Sequence, residues 1–266
     1  MAKKKEMCSL ENHEPGAGIV LMKLEELHSF EGHPFKVERN QELFELRCSI
    51  EKEGVLVPLL VRKNPHGDGY EIIAGHRRKE AALWAGLTEV PVIIRELDDD
   101  QSVIAMVDSN LQREKILPSE KAYAYKMRLE ALSRQGKRTD LTSDPVGWKS
   151  SGKETAQLIG EQSGDSQTQV RRYIRLTNLV PELLEYVDEG RIKMRPAVEL
   201  SFLDEDSQRD VVDEIDLNQC TPSHDQTIRM RKFFTEGKLT PEVVSAIMSE
   251  EKPNQREKIV LRGDKV

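Results

Sequence analysis

Extended, β-rich runs occupy one stretch of this sequence, residues 57–61, 70–74 and 90–94, and none follows Pro118. Beyond that proline the apolar residues Ala122, Tyr125, Leu129 and Leu132 return at helical spacing instead. A chain that changes its apolar period part-way along needs two architectures in succession. The expectation is a mainly α protein with a small α/β domain on its N-terminal side. Within that domain, Asn64-Pro65-His66-Gly67-Asp68-Gly69 supplies a turn between the first two runs. Helices are expected over 41–52, with Gly54 as the cap, and over 77–85, closed by Gly86.

At 266 residues the chain suits two modest domains and a tail. Residues 1–18 show no period and read as a flexible leader; 19–115 form the α/β domain, 116–215 a helical domain, and 216–266 a helical C-terminal segment and tail. Pro118 is well placed to start a helix that stops at Gly136, and the polar stretch 136–152 reads as a loop. Further helices are expected over 154–159, 167–176, 181–187, 196–203, 225–235 and 241–249. No apolar run approaches the roughly 18 residues a bilayer requires, and Met1-Ala2-Lys3-Lys4-Lys5 leads into no secretory segment. A cytoplasmic protein with no membrane partner is expected. Cys8, Cys48 and Cys220 lack the paired spacing of a zinc site or a disulfide framework.

The net charge of -7 governs solubility and steering, but does not say where the basic groups sit. Between Leu111 and Lys153 basic residues outnumber acids, and Arg171, Arg172 and Arg175 follow shortly; as solvated helix faces these are ordinary. Two motifs place cations where they could bind. The first is Tyr70-Glu71-Ile72-Ile73-Ala74-Gly75-His76-Arg77-Arg78-Lys79, where a glycine joins a strand to a helix and cations crowd the first turn. Free N–H groups, a partial positive charge and forked guanidinium donors suit a polyphosphate. The same spacing also fits an ordinary solvated helix start. Asp108-Ser109-Asn110-Leu111-Gln112-Arg113 ends an otherwise apolar helix and adds polar groups, although Asn110 in such a place can simply bond its own backbone.

The second place is Ser166-Gln167-Thr168-Gln169-Val170-Arg171-Arg172-Tyr173-Ile174-Arg175, preceded by the helix around Ala156-Gln157-Leu158-Ile159. Ser166 and Gln169 have capping-box spacing. Val170, Tyr173 and Ile174 share one face, leaving Gln167, Thr168, Gln169, Arg171, Arg172 and Arg175 towards solvent or DNA. A recognition helix needs such an arrangement, because glutamine can pair with adenine and arginine with guanine or phosphate. Two helices of a plain bundle fit the pattern as well, and the connection from Gly160 to Ser166 is longer than the usual turn.

Taken in order, Gly75-His76-Arg77-Arg78-Lys79-Glu80-Ala81-Ala82, Val90-Pro91-Val92-Ile93 and Asn110-Leu111-Gln112-Arg113-Glu114 with Pro118 and Glu120 resemble the ParB N-terminal domain. Pro181-Glu182-Leu183-Leu184 and Arg195-Pro196-Ala197-Val198-Glu199-Leu200 resemble that family's helices downstream of its helix-turn-helix. The resemblance implies a ParB-like nucleotide-binding domain followed by a helix-turn-helix DNA-binding domain. It implies CTP as ligand with Mg2+, nucleotide contacts at Gly75, His76, Arg77, Arg78, Ser109, Asn110 and Arg113, and metal contact at Asn110. It further implies double-stranded DNA, a ParA-like ATPase and a second copy of the chain as partners, with a nucleoid-associated location. Two positions depart from the pattern: His76 and Ser109 stand where the family usually has glutamate. Hydrolysis is therefore expected to be slow, with Asp108 and Ser109 as candidate catalytic residues. A partition protein is expected; a transcription regulator or nucleoid-occlusion protein of the same build, and a sulfiredoxin-like phosphotransfer enzyme, are the alternatives. After Pro253 no sustained apolar period marks the family's C-terminal dimerisation module, so a truncated chain with weak self-association is expected.

Overall fold

The computed structural model describes residues 18–113, 115–140 and 152–250; most of the expected leader, the loop residues 141–151 and the tail beyond 250 lie outside the described residues. The chain divides into two compact units, one ending at Asn110 and the other starting at Leu111.

The first unit is built on a five-stranded sheet. Its strands are β1 (Ile19–Lys23), β2 (Leu27–Ser29), β3 (Leu59–Lys63), β4 (Tyr70–Ala74) and β5 (Glu89–Ile94), in the order β1-β5-β3-β4-β2. β3 lies parallel to β5 and antiparallel to β4; the outer pairs are antiparallel for β1 with β5 and parallel for β2 with β4. Helices α1 (Gln41–Glu53), α2 (His76–Trp84) and α3 (Asp99–Leu111) complete the unit. The β-rich runs bury Leu59, Val61 and Ile72 with Val90 and Val92 of β5, against Leu43 and Ile50 of α1 and Ala81 and Ala82 of α2. β3 starts two residues later than the expected run, because Val57 stands exposed ahead of Pro58.

The sheet holds a buried ion pair between β3 and β4. Arg62 and Glu71 face each other across β3 and β4, with Nη2 2.6 Å from Oε2. Arg62 also reaches Asp99 at the start of α3 at 2.8 Å and lies over the Phe30 ring. The pair ties the strand that leads into Gly75 to its neighbours.

The second unit is helical: α4 (Pro118–Asp140), α5 (Gly152–Ser163), α6 (Gln167–Leu176), α7 (Pro181–Asp188), α8 (Met194–Leu200), α9 (Glu205–Asn218), α10 (His224–Thr235) and α11 (Pro241–Met248). α4 continues through Gly136 rather than stopping there. A glycine in a helix interior costs about 1 kcal/mol relative to alanine, which is too little to end a helix by itself. α9 is a helix the sequence pattern did not indicate, and the break expected at 215/216 falls inside it. Leu176, Leu183 and Leu200 share one core with Val211 and Ile215 of α9, Met230 of α10 and Val244 and Ile247 of α11. Among the described residues no helix is long and apolar enough to cross a membrane.

Candidate phosphate and nucleic-acid sites

The chain enters α2 through Gly75, whose φ of 110° an L side chain rarely adopts; a Cβ there would stand 2.8 Å from Leu59 Cγ. Glycine thus lets β4 turn straight into a helix whose first turn carries no acid. Four basic side chains sit where the helix dipole disfavours cations, and the protein compensates within itself. Arg77 Nη2 donates to Glu42 Oε2 of α1 at 3.1 Å. Arg78 Nη1 donates to the carbonyls of Val57 and Pro58 at 2.6 Å each, and burial lowers its pKa. Lys79 Nζ donates to the Leu27 carbonyl at 2.5 Å; burial lowers its pKa, and Glu80 works in the other direction. His76 is buried, its ring centroid 3.8 Å from that of His33 in the loop before α1. Neither His33 nor Glu42 was singled out from the sequence, since they stand 43 and 35 residues from the groups they touch and no local period links them.

Ser109 and Asn110 close α3 in the same unit. The buried Asn110 donates through Nδ2 to the Met106 carbonyl at 2.9 Å and to Ser109 Oγ at 3.3 Å, while Ser109 Oγ donates to the Met106 carbonyl at 2.8 Å. The backbone bonding that a lone sequence would suggest is therefore present, and it turns the amide oxygen of Asn110 away from its own helix. Arg113 belongs to the second unit, and Asp108 is half-buried on α3. Among the described residues no three His, Cys, Asp or Glu side chains could hold a metal together. The Asn110 amide oxygen is a hard ligand of the kind that a Mg2+ ion accepts.

In the second unit α5 and α6 form the helix pair. Ser166 caps α6, its side chain accepting from Gln169 N at 3.2 Å. α5 runs on through Gly160 to Ser163, so the connection to α6 is not the long one expected but the usual short turn of Gly164, Asp165 and Ser166, and Asp165 holds it. Its N–H donates to the Gly160 carbonyl at 3.1 Å, and a Cβ on Gly160 would come within 2.5 Å of the Asp165 carbonyl. Its carboxylate accepts from Tyr125 Oη at 2.6 Å and pairs with Lys121 at 2.7 Å, so α4 grips the turn. Burial, followed by that hydrogen bond, raises the Tyr125 pKa. Val170 packs inward on Tyr125, Ala156 and Ile159.

Thr168 and Arg171 are exposed, and Ser166 stands at the exposed helix start; Gln167, Gln169 and Arg172 are half-buried. Among the described residues neither Arg171 nor Arg172 has an ion-pair partner. Arg175 differs from the outward position expected of it. Its guanidinium donates to Ser201 Oγ and to the Ser201 carbonyl, at 3.2 and 3.0 Å, and lies 3.9 Å from the centroid of Phe202. One helical turn past the outward face, α6 already points at α8, so Arg175 is a packing residue here. Burial and the nearby Arg231 lower its pKa.

Two family models match the chain: the ParB N-terminal domain over residues 9–111 and the ParB HTH domain over residues 150–224. Chromosome-partitioning protein Spo0J of Thermus thermophilus is 36% identical over 189 residues, 71% of this chain and 62% of that protein. A probable chromosome 1-partitioning protein ParB of Deinococcus radiodurans is 38% identical over 177 residues, 66% of this chain and 54% of that one. The matched part thus spans about half to three fifths of the length of these curated relatives. Among solved structures, a C-terminally truncated ParB from Caulobacter crescentus complexed with CTP-γ-S has a TM-score of 0.35 and 29% identity, covering 69% of this chain and 92% of that one.

Proposed function

Because this chain belongs to the ParB family, carrying that family's N-terminal and helix-turn-helix domains in one polypeptide, we propose that it is a sequence-specific DNA-binding partition protein gated by CTP. One observation carries the reading. A left-handed glycine turn lined with cations stands in one unit, and in the other a capped helix whose Arg171 and Arg172 have no ion-pair partner among the described residues. The triphosphate would accept from the first-turn N–H groups of α2 and from Arg77 and Arg78, with Asn110 meeting its Mg2+ ion. Gln167, Thr168 and Gln169, at the start of α6, would face base edges, and Arg171 and Arg172 the phosphates. Two copies with CTP bound would close around DNA as a clamp. Ser109 offers a hydroxyl where a carboxylate would hold metal or orient water, so hydrolysis is a slow timer.

Calorimetric titration of the full chain with CTP, ATP, GTP and UTP, with and without double-stranded DNA, tests this. CTP is expected to bind in preference to the other three; equal affinity for all four contradicts the cytidine assignment. Sedimentation under the same conditions should give weak self-association alone and a dimer with CTP and cognate DNA. A tight dimer without ligands contradicts the gating.

A further inference from the structure

The cations of the α2 turn differ in what holds them. Arg78 and Lys79 donate to main-chain carbonyls of Val57, Pro58 and Leu27 at 2.5–2.6 Å. Those carbonyls are neutral acceptors, two in the chain just before β3 and one in β2, and a guanidinium has five donors, so Arg78 can keep both bonds and still meet an anion. Arg77 alone is held by a carboxylate. Its partner Glu42 makes one hydrogen bond of 3.1 Å, and both side chains are reached by solvent, 30% of Arg77 and 56% of Glu42. Glu42 lies in the first turn of α1, capped by Asn40, where a negative charge is favoured with or without Arg77. Losing its partner therefore leaves Glu42 in a comfortable place.

A polyphosphate brought to Arg77 would meet that carboxylate at close range. Two negative groups a few ångströms apart around one solvent-reached guanidinium repel each other, and salt weakens that repulsion. From this geometry we infer that Glu42 is a resident competitor for the nucleotide site: it occupies Arg77 when the site is empty and is displaced by the phosphate tail on binding. The inference rests on the reading of the α2 turn as a nucleotide-phosphate site. Its consequence is a threshold. The pair keeps Arg77 from collecting stray anions, and only a ligand with enough phosphate charge takes the arginine away. Because Glu42 stands on α1 and Arg77 on α2, phosphate binding also releases a tie between two helices that pack together.

The test is the affinity of the full chain for CTP, for inorganic tripolyphosphate and for cytidine, in the wild type and in Glu42→Gln. An exposed ion pair of this kind shifts an equilibrium by about two- to fivefold. Glu42→Gln is expected to bind CTP and tripolyphosphate about that much more tightly, with cytidine unchanged, and the gain should shrink as salt is raised. Arg77→Ala should weaken CTP and abolish the gain when combined with Glu42→Gln. A variant that binds CTP as well as or less tightly than the wild type makes Glu42 a support of Arg77 and overturns the inference alone. A wild type that binds neither CTP nor tripolyphosphate overturns the nucleotide reading and the inference together. Because Glu42 is on the surface, the glutamine variant keeps the fold, and a matching thermal transition verifies it.

Discussion

The α2 turn and the α6 helix both present arginines to solvent, yet they treat them in opposite ways. On α2 the cations of the first turn are already spoken for: Arg77 by Glu42, Arg78 by the Val57 and Pro58 carbonyls, Lys79 by the Leu27 carbonyl. On α6, Arg171 and Arg172 have no ion-pair partner among the described residues, while only the inward Arg175 is engaged, on Ser201 and Phe202. On the proposed reading, a small anionic ligand would exchange partners at the α2 turn, whereas a long polyanion would meet donors on α6 that give up only water and counterions. Selectivity by competition and affinity by open charge would then fall to different units.

The largest effect that can break this comparison lies in the sheet whose strand β4 leads into the α2 turn. Glu71→Ala would leave Arg62 in the sheet with Asp99 as its remaining ion-pair partner and should cost about 1.5 to 3 kcal/mol, the range of a charged hydrogen bond. Calorimetric melting should show the first unit's transition falling while the helical unit keeps its own. A single transition that falls as a whole would show that the two regions are not separable in stability. Next, replacing Arg171 and Arg172 together with alanine should weaken duplex DNA binding about tenfold or more and lower the salt slope by roughly two, one per phosphate contact. Anisotropy titrations at several salt concentrations measure both, and CTP binding should be untouched.

Gly75→Ala forces a side chain into a φ of 110° and against Leu59. Strain of this kind costs about 1 to 3 kcal/mol, and CTP affinity should fall with it while DNA binding holds. The smallest expected effect is Asp165→Asn. It weakens the grip of Lys121 and Tyr125 on the turn before α6 and should cost about 1 kcal/mol of helical-unit stability. Duplex affinity should fall modestly in the same variant. Unchanged affinity would mean that α6 is positioned by Val170 and its apolar neighbours alone.

Much of this division was legible in the sequence, and what was not has physical reasons. β4 lies where its β-rich run places it and α6 where its capping residue does, and the α2 turn is announced by Gly75. β1 and β2 escaped because they are the outermost strands and mostly exposed, with burial at Met22 and Leu27 only, so neither shows the alternation of a strand with one covered face. α9 escaped because its core side is sparse: Val211, Val212 and Ile215 are joined by a buried glutamine. Gln208 accepts from Val180 N and donates to the carbonyls of Asn178 and Leu203, a core role that no apolar periodicity can announce. At the sites, residue types could be read but not their partners. The turn from Arg175 towards Ser201 and the pairing of Arg77 with Glu42 depend on contacts 26 and 35 residues away.

The most direct test of the contrast is the arginine side-chain Nε–H spectrum of the full chain, with Arg77, Arg78, Arg171 and Arg172 assigned by single substitution. In the ligand-free protein Arg77 and Arg78 should give ordered signals protected from water exchange, and Arg171 and Arg172 averaged ones. CTP with Mg2+ should move the first pair and leave the second; duplex DNA should do the reverse. Equally averaged signals from all four, or CTP acting on Arg171 and Arg172 while Arg77 and Arg78 stay still, would contradict the account.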